Sequence, residues 1–294
     1  MFVKANAMII RAITPVHAGK GRALGLIDMP IQKEKHTGIP KIEGASLKGS
    51  LRELCRIQGN EELDVNVIFG PENGNESAGL VGFTDAKLLF YPIISINTLF
   101  SYVTCPYLIN RFLEDIELCN VEIDKQKNIG TVPKISEGKC ILLNRNSEDG
   151  ESIILAEYEF WIDKNDNYSV IRDLITNHRI SLKSEMDVVA ISDTDFIEMI
   201  NLTRDIITRN KIAYETGTVA DSGPFTEEYL PAESILYFLT LKNGIKEDKD
   251  NKDMYENYLN SFPSIVQVGG NATIGKGIVE INKFEKGKKD GGNS

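Results

Sequence analysis

Residues 39–52 read IPKIEGASLKGSLR, and this stretch decides the fold because it changes structural period within a few residues. It begins extended, since Pro40 biases Ile39 away from the helical region. From Ser46 onward, apolar side chains recur at Leu47, Leu51, Leu54 and Cys55, the spacing of one helix face. The pattern predicts a helix from an N-cap at Ser46 to around Gln58, stopped by Gly59. Lys48, Arg52 and Arg56 recur four apart on it and make a basic stripe. Gly44 sits where the helix starts, with Lys41 just before it and Lys48 in the first turn. Free amides and the positive end of the helix dipole attract anions at such a place, so the segment is a natural phosphate site. It lacks the G-x-x-x-x-G-K-[ST] spacing of a P-loop.

Working outward, residues 7–14 (AMIIRAIT) read as a first strand stopped by Pro15. Between them and the helix lie some thirty residues with glycines at 19, 21, 25, 38 and 44 and prolines at 15, 30 and 40. An unstructured connection of that length is either functional or disordered. Downstream, residues 79–92 and 153–162 read as strands, 108–118 as an amphipathic helix, and 186–191 as a strand feeding a helix capped by Ser192 or Thr194 that runs to about Leu202. Residues 203–232 then alternate, turn and alternate again, which predicts a projecting β-hairpin. A strand at 234–241, a helix from 246 to 262, a strand at 266–268, a glycine-rich turn at 269–277 (GGNATIGKG) and a strand at 278–281 complete the pattern. The polar tail at 286–294 is expected to be disordered, and the whole chain to be a single domain.

The 294 residues are 41% hydrophobic and 26% charged, an ordinary globular composition that excludes collagen-like and disordered chains. No apolar run approaches the roughly 20 residues that span a bilayer. The N-terminal segment lacks the features of a signal peptide, so the expected location is cytoplasmic. Cys55, Cys105, Cys119 and Cys140 contain no C-x-x-C pair, and the only histidines are His17, His36 and His178. That spacing argues against zinc and for buried, reduced thiols.

A net charge of −10 argues at first against a nucleic-acid partner, but the average hides a split. Residues 1–58 hold ten basic and four acidic side chains, a net of +6, and the remaining 236 residues carry −16. A basic face on an acidic body is what a protein holding a polyanion on one side requires, although a solvated basic face explains the split equally well.

Taken together, the two glycine segments at 39–52 and 269–277 are similar to the paired signatures of the RAMP superfamily (repeat-associated mysterious proteins), whose members build CRISPR RNA-guided complexes on ferredoxin-like, RRM-like folds. More specifically, TPVHAGKG (14–21), LGLIDMPIQKEKHTGIPKIEGASLKGSLRE (24–53), SYVTCPYLINRF (101–112) and the final glycine signature resemble the backbone subunit of type III-B, Cmr-type complexes. The likeness continues through ETGTVADSGPFTEEYLPAES (215–234).

The resemblance implies an α+β fold: a modified ferredoxin-like core with an antiparallel sheet, helices on one face, and the 203–232 hairpin inserted as a thumb. It implies a subunit that polymerises along CRISPR guide RNA with other subunits of the complex. The hairpin would push between bases of the guide and target duplex, and complementary target RNA would be cut at regular intervals, once per subunit. The family's cleaving carboxylate maps onto Asp28, which either helps hold Mg²⁺ or another divalent cation, or accepts the 2′-OH proton. His17 is a secondary candidate, as acid to the leaving oxygen or as a hydrogen bond holding its loop. Glu227 and Tyr229 match polar positions near the cleavage site, or pin the base of the thumb. Guide RNA would be gripped by Lys41, Gly44, Ser46, Lys48 and Arg52 and by Gly269, Gly270, Gly275 and Lys276. Against this, Arg52 could pair with a carboxylate elsewhere in the fold, and Arg56 with one on another subunit. Two rival functions share the resemblance: a structural backbone that holds guide RNA without cutting, and a stand-alone, metal-independent endonuclease that processes CRISPR RNA precursors with a catalytic histidine.

Overall fold

Two long neighbouring strands show how the chain is layered. In β1 (Phe2–Ala12), Met8, Ile10 and Ala12 enter one apolar cluster while Ala7 and Ile9 enter another. The computed structural model describes residues 2–59, 64–72, 78–119, 131–146, 150–177, 179–212, 217–244 and 254–284. After β1 come β2 (Lys41–Ile42), α1 (Gly44–Gln58), α2 (Val65–Phe69), β3 (Val81–Phe83), β4 (Ala86–Ile94), β5 (Phe100–Thr104) and α3 (Pro106–Glu117). The middle of the chain forms β6 (Lys139–Leu142), β7 (Ser152–Leu155), β8 (Tyr158–Ile162), α4 (Ser169–Thr176), β9 (Asp187–Ile191) and α5 (Asp193–Leu202). The last part forms β10 (Asp205–Ile212), β11 (Val219–Tyr229), β12 (Ile235–Asn243), α6 (Met254–Asn260), β13 (Ile265–Gln267) and β14 (Ile278–Lys283).

One sheet runs β13-β14-β1-β12-β4-β5-β9-β6-β8-β7, with β2 and β3 attached to β4 and β12. Its pairs are antiparallel apart from β5 with β9 and β6 with β8, which are parallel. β12 alternates as β1 does, with Leu236 and Phe238 on one side and Ile235, Tyr237 and Leu239 on the other. Successive side chains of a strand point to opposite faces, so the central strands are covered on both. Apolar residues of α1, α2, α5 and α6 cover one face, and those of α3 and α4 the other. This corrects the expectation of helices on one face only; strands apolar on both sides cannot leave one of them wet.

Three local expectations also change. The run at 153–162 is not one strand but the hairpin of β7 and β8, turned at Ala156 with φ 52°. The run at 79–92 breaks at Thr84 and Asp85 into β3 and β4. Helix α1 is capped not by Ser46 but by Glu43, which makes no side-chain cap bond. The predicted helix at 246–262 is described as α6; residues 246–253 and the tail at 286–294 lie outside the described residues, as does His178.

The segment between β1 and β2 is ordered by isolated bridges: Val16 with Leu230, His17 with Gly270, Gly19 with Ile31, and Met29 with Glu227. Gln32 staples it to α1, its Oε1 accepting from the Glu43 amide at 2.7 Å and its Nε2 donating to Ser46 Oγ at 3.2 Å. All four cysteines are free thiols; Cys55, Cys105 and Cys140 are buried, while Cys119 is only half-buried. No helix among the described residues is long and apolar enough to cross a membrane.

Candidate functional site

Strand β11 is the meeting point of three segments distant in sequence, and its two faces do different work. β10 and β11 form a two-stranded sheet of their own, from Asp205 opposite Tyr229 to Ile212 opposite Val219. At its base, Thr226 and Glu228 serve the loop that carries Asp28, while Glu227 and Tyr229 serve the turn at 269–277, as period-2 alternation demands.

Asp28 is exposed, and its Oδ2 accepts hydrogen bonds from the Thr226 amide at 2.8 Å and the Thr226 hydroxyl at 2.9 Å. The Asp28 amide donates in return to Thr226 Oγ1 at 3.0 Å. The bonds from Thr226, the backbone one foremost, hold the Asp28 carboxyl below the ordinary carboxylate value, aided by the charge of Arg22. Asp28 is therefore ionised at neutral pH and faces solvent.

Glu227 is the opposite case. It is 3% exposed, and its Oε2 accepts from Arg209 Nη1 at 2.6 Å, the Tyr229 hydroxyl at 2.6 Å and Asn271 Nδ2 at 3.2 Å. Burial alone would raise its pKa, but these three donors outweigh it and the value falls. Tyr229 is buried, and burial together with its bond to Glu227 pushes the phenol up to about 12. Asn271, at φ 65°, also donates to the Tyr229 hydroxyl at 3.0 Å. Lys276 Nζ lies 5.0 Å from the centre of the Tyr229 ring. The cluster locks the base of the hairpin to the glycine turn.

His17 is buried, its ring 5.5 Å from that of Tyr229. Its Nδ1 lies 2.8 Å from the Glu228 carbonyl; a carbonyl only accepts, so Nδ1 carries the proton. A Cβ on Gly19 would come 2.7 Å from Nε2, which shows how closely the backbone covers the other nitrogen. The Nδ1 bond ties the His17 loop to β11. The His17 carbonyl accepts from the Gly270 amide at 2.9 Å, and Gly269, at φ 84°, leaves room where a Cβ would collide with that carbonyl. Gly275, at φ 75°, sits in open space at the end of the turn.

The phosphate site expected at the start of α1 holds an anion from within the chain. Asp85 Oδ1 accepts from the Gly44 amide at 2.9 Å and Oδ2 meets Lys41 Nζ at 2.7 Å. That bond is the main reason Lys41 is raised. Gly44 itself allows a close approach: a Cβ there would lie 2.6 Å from the Phe83 carbonyl. On the basic stripe, Arg52 donates to the Gly70 carbonyl at 2.8 Å and to Asn66 Oδ1 at 3.1 Å, and Arg56 pairs with Glu53 of its own helix. Lys48 differs. Burial, then the neighbouring Arg52, lowers its pKa, and among the described residues no carboxylate pairs with it. Ser46 is occupied by Gln32.

The site therefore brings Asp28, His17, Glu227 and Tyr229 together with Gly269, Gly270 and Lys276 around β11, and leaves Lys41, Gly44, Ser46, Lys48 and Arg52 at the head of α1. Sequence reasoning missed Thr226, Glu228, Arg209 as a lock, Asn271 and Asp85. Among the described residues no three His, Cys, Asp or Glu side chains gather as a ready-made metal site. One exposed carboxylate suits a hard cation that keeps most of its ligands as water and phosphate oxygens.

A profile of the RAMP superfamily matches residues 9–280. The chain is 35% identical over 292 residues, 96% of its length and 97% of the relative's, to the CRISPR system Cmr endoribonuclease Cmr4 of Pyrococcus furiosus. Among solved structures, that of oligomeric Cmr4 from Pyrococcus furiosus matches with a TM-score of 0.72 at 30% identity, covering 96% of this chain and 98% of that one. A chain of the type III-B Cmr-beta complex bound to cognate target RNA matches with a TM-score of 0.78 at 26% identity, covering 96% and 98%.

Proposed function

This chain belongs to the RAMP superfamily, and from that premise we propose that it is the backbone subunit of a type III-B, Cmr-type complex, binding CRISPR guide RNA and cutting complementary target RNA. Copies of the chain line up along the guide together with other subunits, in keeping with the oligomeric relative and the RNA-bound Cmr-beta structure. The observation that carries the reading is the exposed, ionised Asp28 mounted at the base of the β10–β11 hairpin, in a chain so similar to an endoribonuclease.

The hairpin is the thumb. Ile206 and Ile212 are exposed on β10 and would serve as apolar wedges in a splayed duplex. The core beneath it is the modified ferredoxin-like palm. Lys48, with no carboxylate partner among the described residues, and Lys276, on the glycine turn, take guide phosphates.

Cleavage is divalent-metal-dependent. A bound Mg²⁺ or similar cation would supply charge neutralisation at the phosphate being cut. Asp28 is the residue that would hold it: its carboxylate is ionised, and a carboxyl held below its ordinary value is a weak proton acceptor at neutral pH. Glu227 and Tyr229 keep the hairpin seated, and His17 keeps the loop closed on β11 through its Nδ1 proton.

The test is guide-directed cutting. Complexes assembled with one guide should cut an end-labelled complementary RNA into evenly spaced fragments and leave a scrambled RNA whole. Cutting of both alike, or binding of target without any cutting, would sink the enzymatic part of the reading.

A further inference from the structure

The Asp28 loop is attached to the hairpin in two ways. The first is the Met29 to Lys33 run. The Met29 amide donates to the Thr226 carbonyl at 3.0 Å, and the Glu228 amide to the Met29 carbonyl at 3.0 Å. The Glu228 side chain, 1% exposed, meets Lys33 Nζ at 2.6 Å and accepts from the Ile31 amide at 3.3 Å. A buried carboxylate with a cation and a backbone amide is a firm post. On the far side, Glu34 pairs with Arg111 of α3 and closes the same segment onto the body of the protein. The second attachment is the reciprocal pair between Thr226 and Asp28. Its donors act on a single oxygen, Oδ2, of a side chain that is otherwise in solvent. Since the chain from Met29 to Glu34 is already secured without the Thr226 side chain, what these bonds add is the direction of the carboxylate.

We propose that Thr226 is a positioning residue for RNA cleavage, its hydroxyl aiming the Asp28 carboxylate at the scissile phosphate from the base of the hairpin. The inference rests on the function proposed above and goes beyond it, because it makes the hairpin's own strand part of the cutting geometry. Misplacing a reacting group by 1 Å costs on the order of 10²-fold in rate, so loss of one of the two orienting side-chain and backbone donors should cost about tenfold or more.

Complexes with guide RNA are assembled from wild type, Thr226→Val and Thr226→Ser, and single-turnover cleavage and target affinity are measured for each. Valine keeps the β-branched shape and the amide but removes the hydroxyl; serine restores it. The proposal expects Thr226→Val to cut at least about tenfold more slowly, with target affinity within about twofold, and Thr226→Ser to recover to within about threefold of wild type. Thr226→Val cutting at the wild-type rate overturns it. So does Thr226→Ser as slow as Thr226→Val, or a loss in affinity that matches the loss in rate, because a structural role for the strand predicts both. A wild-type complex that binds target and does not cut fails the proposed function itself, and this inference with it.

Discussion

Removing the cation that faces Glu227 tests whether the hairpin lock is built as the geometry says. Arg209 and Glu227 form an ion pair of 2.6 Å in which the carboxylate end is 4% exposed and the guanidinium end 32%. Breaking a fully buried pair costs roughly 3–5 kcal/mol, while an exposed pair contributes about 0–1 kcal/mol. Arg209→Met leaves a buried carboxylate that keeps the Tyr229 and Asn271 donors, so the cost falls between these limits, about 2 kcal/mol. For a chain of 294 residues that is a fall of about 3 °C in melting temperature. The loss depends on pH. Glu227 sits below the ordinary 4.5 in the folded chain, so its contribution is fully present above that value and is lost as pH falls through the folded value. The gap between wild type and Arg209→Met should therefore narrow under acid. A double-mutant cycle with Glu227→Gln, read by denaturant unfolding of the full chain, should show a coupling of about 1–2 kcal/mol. Costs that add to within about 0.5 kcal/mol, or an Arg209→Met gap that widens in acid, refute the account.

Gly269→Ala forces a side chain onto the His17 carbonyl at φ 84° and should destabilise by more than Gly275→Ala, which pays only for its φ of 75°, about 1 kcal/mol; thermal melts of the two compare directly. Lys48→Ala should leave stability within about 0.5 kcal/mol and reduce the salt dependence of guide-RNA binding by about one phosphate, read from a plot of log affinity against log salt. Arg52→Ala should do the reverse, costing about 1–2 kcal/mol through its lost bonds to Gly70 and Asn66 with a smaller change in salt slope.

What was legible in the sequence was local or periodic. Helix α1, strands β1, β9 and β12 and the hairpin at 203–232 stand close to where the spacing of apolar residues placed them. The turn at Ala156 was not legible, because Ala156 and Glu157 carry none of the usual turn residues between two apolar runs. Asp85 was not legible for a different reason: it meets Lys41 and Gly44 from more than forty residues away, and no local pattern announces which carboxylate will fill a helix terminus. Thr226 and Glu228 do carry a local signal. Once 225–231 reads as a strand, alternation puts them on the face opposite Glu227 and Tyr229, so a site that includes one pair has a second pair looking the other way. The helices on both faces were likewise foreshadowed by the uninterrupted apolar run at 235–239.

Under the proposed function, Asp28 with a divalent cation cuts target RNA. The measurement is cleavage of 5′-labelled complementary RNA by guide-loaded complexes of wild type and Asp28→Ala, with and without EDTA, with target binding followed in parallel. Wild type is expected to give an evenly spaced ladder that EDTA abolishes and that Asp28→Ala does not produce although it still binds the target. A ladder that survives Asp28→Ala, or one indifferent to EDTA, would contradict this expectation.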